Sequence, residues 1–219
     1  MNAEPDLVLG TANRKKGQEL AELFGPAGLE IHTLADFPQA IRVEESGDTL
    51  AANARLKATL QARHLGRWVL ADDSGLMVDA LGGAPGVLSA RYAGPGATDD
   101  SNNRRLLQEL ERVAPEKRTA RFVCRMALAD PAGAVRAESE GACRGRILFE
   151  PRGARGFGYD PLFEIAEYHR SFGQLSAAVK ACLSHRARAA RLLLPTLIAL
   201  ADSGQLTRRS KVPGSPAGT

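Results

Sequence analysis

Val69-Leu70-Ala71-Asp72-Asp73-Ser74-Gly75-Leu76 sets two adjacent carboxylates and a hydroxyl at the abrupt end of an apolar run. Trp68 to Ala71 reads as a short buried strand. Asp-Asp-Ser-Gly reads as the turn that stops it, with polar side chains that bond their own backbone and a glycine free to take positive φ. At the carboxyl end of a strand in an α/β sheet, such a turn is a ligand site. An isolated Asp-Asp-Ser-Gly is more often a capped turn than a site, so its meaning depends on what the rest of the chain brings to it.

Upstream, Asp6 to Gly10 reads as a first strand and Thr11-Ala12-Asn13 as its exit turn. From Arg14 the apolar residues Leu20, Leu23 and Phe24 take helical spacing until Gly25-Pro26 ends the helix. A strand that passes into a helix through a polar turn favours anions, because backbone N–H groups and the helix N-terminus point the same way. Lys15 and Lys16 add positive charge there. Glu30 to Thr33 is a second strand, and Ile41 to Gly47 an extended stretch carrying Glu44 and Glu45. Asp48 or Thr49 caps a helix with Leu50, Ala54 and Leu60 inward, and Asn53 and Lys57 four residues apart along one side.

Downstream, Gly82-Gly83-Ala84-Pro85-Gly86 and Gly94-Pro95-Gly96 enclose a short ordered piece, and no Walker-type phosphate loop is present. Thr98 caps a helix whose first turn holds Asp99 and Asp100. Ala120, Phe122, Cys124, Met126 and Leu128 alternate with more polar neighbours, as in a strand with one buried face, and Asp130 to Gly133 turns into its partner, Val135 to Cys143. Antiparallel strands after a strand–helix beginning predict a mixed sheet with a second lobe. Gln174 to Leu200 is mostly helical, with a break at Leu183-Ser184, an apolar face of Ala189, Leu192 to Leu194, Leu197 and Ile198, and a kink or break at Pro195. Residues 203–219 read as a disordered basic tail.

Composition narrows the function. The formal charge is +4, but Arg208, Arg209 and Lys211 lie in the tail, leaving about +1 for the folded part. The seven Phe, three Tyr and one Trp are not interleaved with basic residues, so no stable nucleic-acid partner is expected. No apolar run approaches the roughly 20 residues that span a bilayer, so no membrane partner is expected. Cys124, Cys143 and Cys182 have neither disulfide nor zinc spacing, and a cytoplasmic setting follows.

Four separated motifs make the stretch at Asp72 part of a larger pattern: Thr11-x-Asn13-x-x-Lys16 with Glu19; Ala71 to Leu76 with Gly82 to Gly86; Gly156-Phe157-Gly158-Tyr159-Asp160-Pro161; and Lys180-x-x-x-Ser184-His185-Arg186. In this order, from about Leu7 to Leu200, they resemble the inosine triphosphate pyrophosphatase family, hydrolases that remove non-standard purine nucleotides. The resemblance implies an α/β fold with a long mixed central sheet flanked by helices, two lobes with a deep active-site cleft between them, a single domain over 1–202, and a homodimer. It implies Mg²⁺-dependent cleavage of ITP, dITP or XTP to the nucleoside monophosphate and pyrophosphate. By the same resemblance Glu44 and Asp73 hold the metal, Asp73 accepts the proton of the attacking water, and Asp73 and Lys16 are the catalytic pair. Thr11, Asn13, Lys16 and Ser74 hold phosphate with Lys57 nearby, and Phe157, Gly158, Tyr159, Asp160, Lys180, His185 and Arg186 bind the nucleotide.

These residue types suit the chemistry. Attack at phosphorus needs cations on the leaving pyrophosphate, which Mg²⁺ and Lys16 supply. Donors such as Lys180 and Arg186 accept a base carrying a C6 oxygen and reject adenine, whose amino group would leave them unpaired. Phe157 is placed to stack on the base. Ala52, Gln174 and Val179 stand where many relatives carry acids, a departure that leaves open a catalytically weakened nucleotide-binding regulatory protein.

Overall fold

The chain does not turn at Asp72. The computed structural model describes residues 6–209, and in it the opening stretch lies inside one continuous strand, Trp68–Val78. Among the described residues seven strands form one mixed sheet: β1 (Leu7–Leu9), β2 (Ile31–Thr33), β3 (Trp68–Val78), β4 (Thr119–Ala129), β5 (Val135–Ile147), β6 (Phe163–Ile165) and β7 (Arg170–Ser171). Their order is β2-β1-β3-β4-β5-β6-β7, parallel from β2 to β3 and antiparallel from β3 onward. The expected turn fails because β4 pairs with β3 from Val69 through Val78, so its ladder takes up the backbone groups of Asp72, Asp73 and Ser74. The parallel neighbour β1 stops earlier, its last partner being Leu70. The two aspartates therefore lie just beyond the point where β3 loses a strand on one side.

Gly75 serves this strand through space rather than through a turn. A Cβ there would overlap the carbonyl oxygen of Gly86, where the 85–89 segment crosses the strand. The amide of Leu76 donates to Ser89 Oγ (2.9 Å) on the same segment.

Helices α1 (Arg14–Phe24) and α5 (His185–Asp202) cover one face of the sheet near β1, with Leu7, Leu9, Leu70, Met126, Leu193 and Leu197 in a common core. Farther along the same face a second core joins Leu76, Val78 and Phe122 to Leu106 of α3 (Asp99–Glu109) and to Tyr159, Phe163 and Phe172. Between these cores the strand presents Asp72 and Ser74. The opposite face is closed by α2 (Leu50–Leu65), whose Ala54, Ala58 and Ala62 pack on Val69, Ala71, Ala127 and Ala129.

Several expectations are corrected by this packing. β4 alternates as expected at Thr119, Arg121 and Arg125, which are exposed, but from Met126 to Ala129 it is buried on both faces, because α2 covers Ala127 and Ala129. Leu60 is exposed, since the inward stripe of α2 runs through alanines at spacing four, which lets the helix lie close to the sheet. Leu192 is 65 % exposed, while Leu193 and Leu197 point inward. α5 runs through Pro195 without a break; Pro195 and Arg191 lie on its exposed side, where the carbonyl that loses its partner can meet water. The break at Ser184 stands: Ser184 ends α4 (Ala177–Leu183) and caps α5, accepting from Ala187 N (3.1 Å).

Residues 203–209 are not a loose tail. Leu206 is buried in the first core, and the backbone bonds back to the segment before β2 through Glu30 N to Thr207 O (3.0 Å) and Arg209 N to Gly28 O (2.8 Å). The remainder of the expected tail, 210–219, lies outside the described residues.

The first turn of α5 sits directly on β5 at Gly141, where a Cβ would overlap the backbone at His185 O and Ala189 N. Gly141→Ala should lower stability by roughly 2 kcal/mol in urea unfolding, because backbone rather than a movable side chain must give way. An unchanged midpoint would show that the helix shifts freely.

Candidate active site

Alternation along β3 separates neighbours that sequence places together. Asp72 and Ser74 point to the face of α1 and α5, while Asp73 points to that of α2.

On the first face, Asp72 is fully enclosed, and Arg186 at the start of α5 reaches its Oδ2 through Nε (3.4 Å) and Nη2 (3.3 Å). Arg186 Nη2 also donates to Ser74 Oγ (3.0 Å), and Lys16 Nζ lies 3.5 Å from Asp72 Oδ2. Burial alone would raise the Asp72 carboxyl, but Lys16, Arg186 and Lys57 together hold it far below the usual carboxylate range. Its Oδ1 has no partner, an unusual condition for a buried acceptor.

Glu19 of α1 links this pair to the next. One of its oxygens pairs with Arg186 Nη1 and the other accepts from Lys180 Nζ (2.8 Å), which also donates to Asp160 Oδ2 (2.7 Å). Burial raises Asp160 despite the Lys180 charge. Asp160 Oδ2 also takes the amide of Phe157 (2.9 Å), which fixes the glycine-rich loop. The half-buried ring of Phe157 has Lys180 Nζ at 4.7 Å and Arg186 at 5.8 Å from its centroid. Gly158 is held from α3: its amide donates to Asp99 Oδ2 (2.8 Å) and its carbonyl accepts from Asn103 Nδ2 (3.0 Å).

On the second face, Asp73 Oδ1 accepts from Lys57 Nζ (3.1 Å) and Oδ2 from Asn53 Nδ2 (3.3 Å), both one turn apart on α2. Lys57 Nζ also donates to Glu45 Oε1 (2.7 Å). Burial raises the Asp73 carboxyl, with Glu45 adding to the rise and Lys57 and Lys16 opposing it. Lys57 stays raised in spite of its burial because Asp73, Asp72 and Glu45 surround it.

Most residues named from sequence thus converge, though with altered parts. Asn13 caps α1, its Oδ1 accepting from Lys15 N (3.0 Å) and Lys16 N (3.2 Å), while Thr11 Oγ1 accepts from Asn13 N (3.2 Å). Tyr159 is buried in the second core and donates its hydroxyl to Ser89 O (2.8 Å), so it shapes the loop from behind. His185 is stacked on Phe122 (4.8 Å, 12°), and burial followed by the Arg186 and Lys180 charges keeps it neutral. Glu44 is exposed, and Glu45 is the acid joined to Asp73 through Lys57. Glu19, Asn53, Asp99 and Asn103 are participants not named as site residues, and Glu45 takes the place expected of its neighbour Glu44. Glu19 had a signal in its place beside the first motif, and Asn53 in its spacing from Lys57. No group of three or more His, Cys, Asp or Glu side chains among the described residues is arranged to hold a metal; two carboxylate pairs are bridged by a single ammonium, Glu45 with Asp73 across Lys57 and Glu19 with Asp160 across Lys180, and only the first includes an acid of the β3 pair.

A family model described as the Ham1 family matches residues 7–196. The chain belongs to the Ham1 family. It is 54 % identical over 203 residues to the dITP/XTP pyrophosphatase of Rhodopirellula baltica, covering 93 % of this chain and 98 % of that one. It is 48 % identical over 191 residues to the dITP/XTP pyrophosphatase of Desulforamulus reducens, with 87 % and 94 % covered. The fold is similar to that of a HAM1 protein from Coxiella burnetii, with a TM-score of 0.81 at 36 % identity over 89 % of this chain and 99 % of that one. The Staphylococcus aureus Ham1 protein gives 0.79 at 34 % identity over 89 % and 98 %. The sheet of this Ham1 chain is thus the mixed α/β architecture of its solved relatives, and no described helix is long and apolar enough to cross a membrane.

Asp72→Asn should remove about 3 kcal/mol of stability at neutral pH by leaving Arg186 and Lys16 facing a neutral group. The Asp72 carboxyl lies lower in the folded than in the unfolded chain, where 3.8 applies, so its stabilisation is complete above that value and is lost as pH falls below it. Urea unfolding between pH 7 and pH 3 should therefore show a shallower acid decline for Asp72→Asn; equal slopes would refute the role.

Proposed function

We propose that this Ham1-family chain hydrolyses the α–β phosphoanhydride of the non-standard purine nucleotides ITP, dITP and XTP, releasing the nucleoside monophosphate and pyrophosphate. The observation that carries the reading is the division of the aspartate pair. At adjacent strand positions the Asp73 carboxylate faces one side and the Lys16–Asp72–Arg186 cluster faces the other. Relatives at 54 % and 48 % identity that are named dITP/XTP pyrophosphatases support the substrate class. The polar band between the two cores is the proposed cleft, with the cores as the two lobes of one domain.

The interlocked ion pairs set five cations, Lys16, Lys57, Arg91, Lys180 and Arg186, against five carboxylates, Glu19, Glu45, Asp72, Asp73 and Asp160, so the network carries no excess positive charge. A polyanion entering such a site needs further positive charge. Glu45 and Asp73 fit Mg²⁺, which prefers oxygen ligands, keeps several waters and needs only one or two carboxylates. When bound there, Mg²⁺ would neutralise phosphate oxygens and acidify a water.

The protein's own groups do the rest. Asp73, raised by burial, is the stronger base for the proton of the attacking water, and Asn53 and Lys57 fix its orientation. Lys16 meets the charge that gathers on the leaving pyrophosphate, with Thr11, Asn13 and Ser74 bounding the phosphate path. Phe157 stacks on the base. Lys180 spends two of its three N–H donors on Glu19 and Asp160 and can turn the third to a C6 oxygen, which adenine lacks. A cytoplasmic setting accords with free Cys124, Cys143 and Cys182, and assembly as a homodimer rests on the family resemblance.

A product-resolved assay with Mg²⁺ tests the reading: dITP should yield pyrophosphate, at a kcat/KM about 100-fold above that for dATP. Orthophosphate as first product would overturn it, and tight ITP binding without turnover would make the chain a nucleotide-binding protein. Asp73→Asn should lower kcat about 1000-fold while keeping the fold. Glu45→Gln should raise the Mg²⁺ needed for half-maximal rate well above the level for Glu44→Gln; the reverse order would return the metal to Glu44.

A further inference from the structure

We infer that Lys57 stands in for the divalent cation: its ammonium neutralises Glu45 and Asp73 until a cation displaces it, and the displaced ammonium then meets the substrate's phosphates. The inference rests on the reading of Glu45 and Asp73 as the cation-binding pair. Lys57 Nζ lies 2.7 Å from Glu45 Oε1 and 3.1 Å from Asp73 Oδ1, so one ammonium bridges the two oxygens proposed for the metal. The side chains of Lys57 and Asp73 are only 12 % and 8 % exposed, and in so sheltered a space an ammonium and a dication cannot share the same two oxygens without strong repulsion.

The parts differ in freedom in a way that suits displacement. Asp73 is held in β3, with its other oxygen bound by Asn53. Glu45 lies on a segment without helix or strand and is 33 % exposed, so it can close on a smaller ion. Lys57 is a flexible four-carbon stem anchored on the adjacent helix, able to swing its charge without moving the backbone. Once expelled it has left both acids, and an incoming polyphosphate is the anion that compensates it. Cation and polyphosphate therefore favour each other's binding, a coupling that must act equally in both directions.

Mn²⁺ binding, followed by the electron paramagnetic resonance of the free ion without nucleotide, reads this directly. Lys57→Met should bind Mn²⁺ roughly tenfold more tightly than the wild type, and Lys57→Arg, which retains a competing cation, should stay within about threefold of it. In the unaltered protein, Mn²⁺ alone should raise the acylation rate of Lys57 several-fold by peptide mass spectrometry, since release from two carboxylates exposes the nitrogen and frees it to lose its proton to solvent, giving the neutral amine that reacts. Unchanged or weaker Mn²⁺ binding by folded Lys57→Met, or labelling of Lys57 that Mn²⁺ leaves unmoved, overturns the inference. If Lys57→Met does not fold, the labelling of the unaltered protein decides alone. Glu45→Gln and Asp73→Asn proteins that bind Mn²⁺ as the wild type does would instead remove the cation pair, a failure distinct from that of Lys57.

Discussion

Asp72 carries a charge in a place where its side chain meets no solvent, and it does so only because Arg186 and Lys16 reach it from two helices. Removing one partner of such a buried pair typically costs about 3–5 kcal/mol, so the surrounding fold is constrained to deliver both cations. Arg186 arrives because α5 starts at Ser184 and because Gly141 lets its first turn rest on β5. Lys16 arrives because β1 ends two residues short of Asp72 in register and α1 begins at once under the Asn13 cap. The helices that build the first core are the same ones that close the ion pairs, so packing and site stand or fall together.

The two faces of β3 divide the labour. The α1 and α5 face holds charge in a closed network running from Lys16 through Asp72, Arg186, Glu19 and Lys180 to Asp160. The α2 face holds a carboxylate whose burial makes it a better proton acceptor, steadied by two side chains of one helix. A charged network of this kind is rigid as long as every member is paired, and it keeps Phe157 and its loop in place through Asp160. α3 completes the loop's support from the far side through Asp99 and Asn103.

Much of this was legible in the chain. Helix starts at Asn13, Thr49, Thr98 and Ser184 follow from side chains that accept backbone N–H groups, and the hairpin at Asp130 to Gly133 from its turn residues. The pairing of Asn53 with Lys57 along one helix side could also be read from spacing, whereas the convergence of the four motifs on one place was implied only by the family resemblance. These are local properties: they depend on neighbours within a turn or two, and sequence contains those neighbours in full.

What sequence alone could not settle were outcomes of long-range pairing. Asp-Asp-Ser-Gly has turn chemistry, and it became strand because β4 supplied ten partners for the backbone that a turn would otherwise have satisfied. That pairing is also what sends Asp72 and Asp73 to opposite faces, since side chains alternate in a strand and need not in a turn. Glu45 rather than Glu44 stands by Asp73 because Lys57, on a helix that packs through alanines, reaches only the former. Sequence by itself determined which residue types are available and where helices can begin; the tertiary structure decided which of two adjacent acids faces which partner, because that choice belongs to the register between strands far apart in the chain.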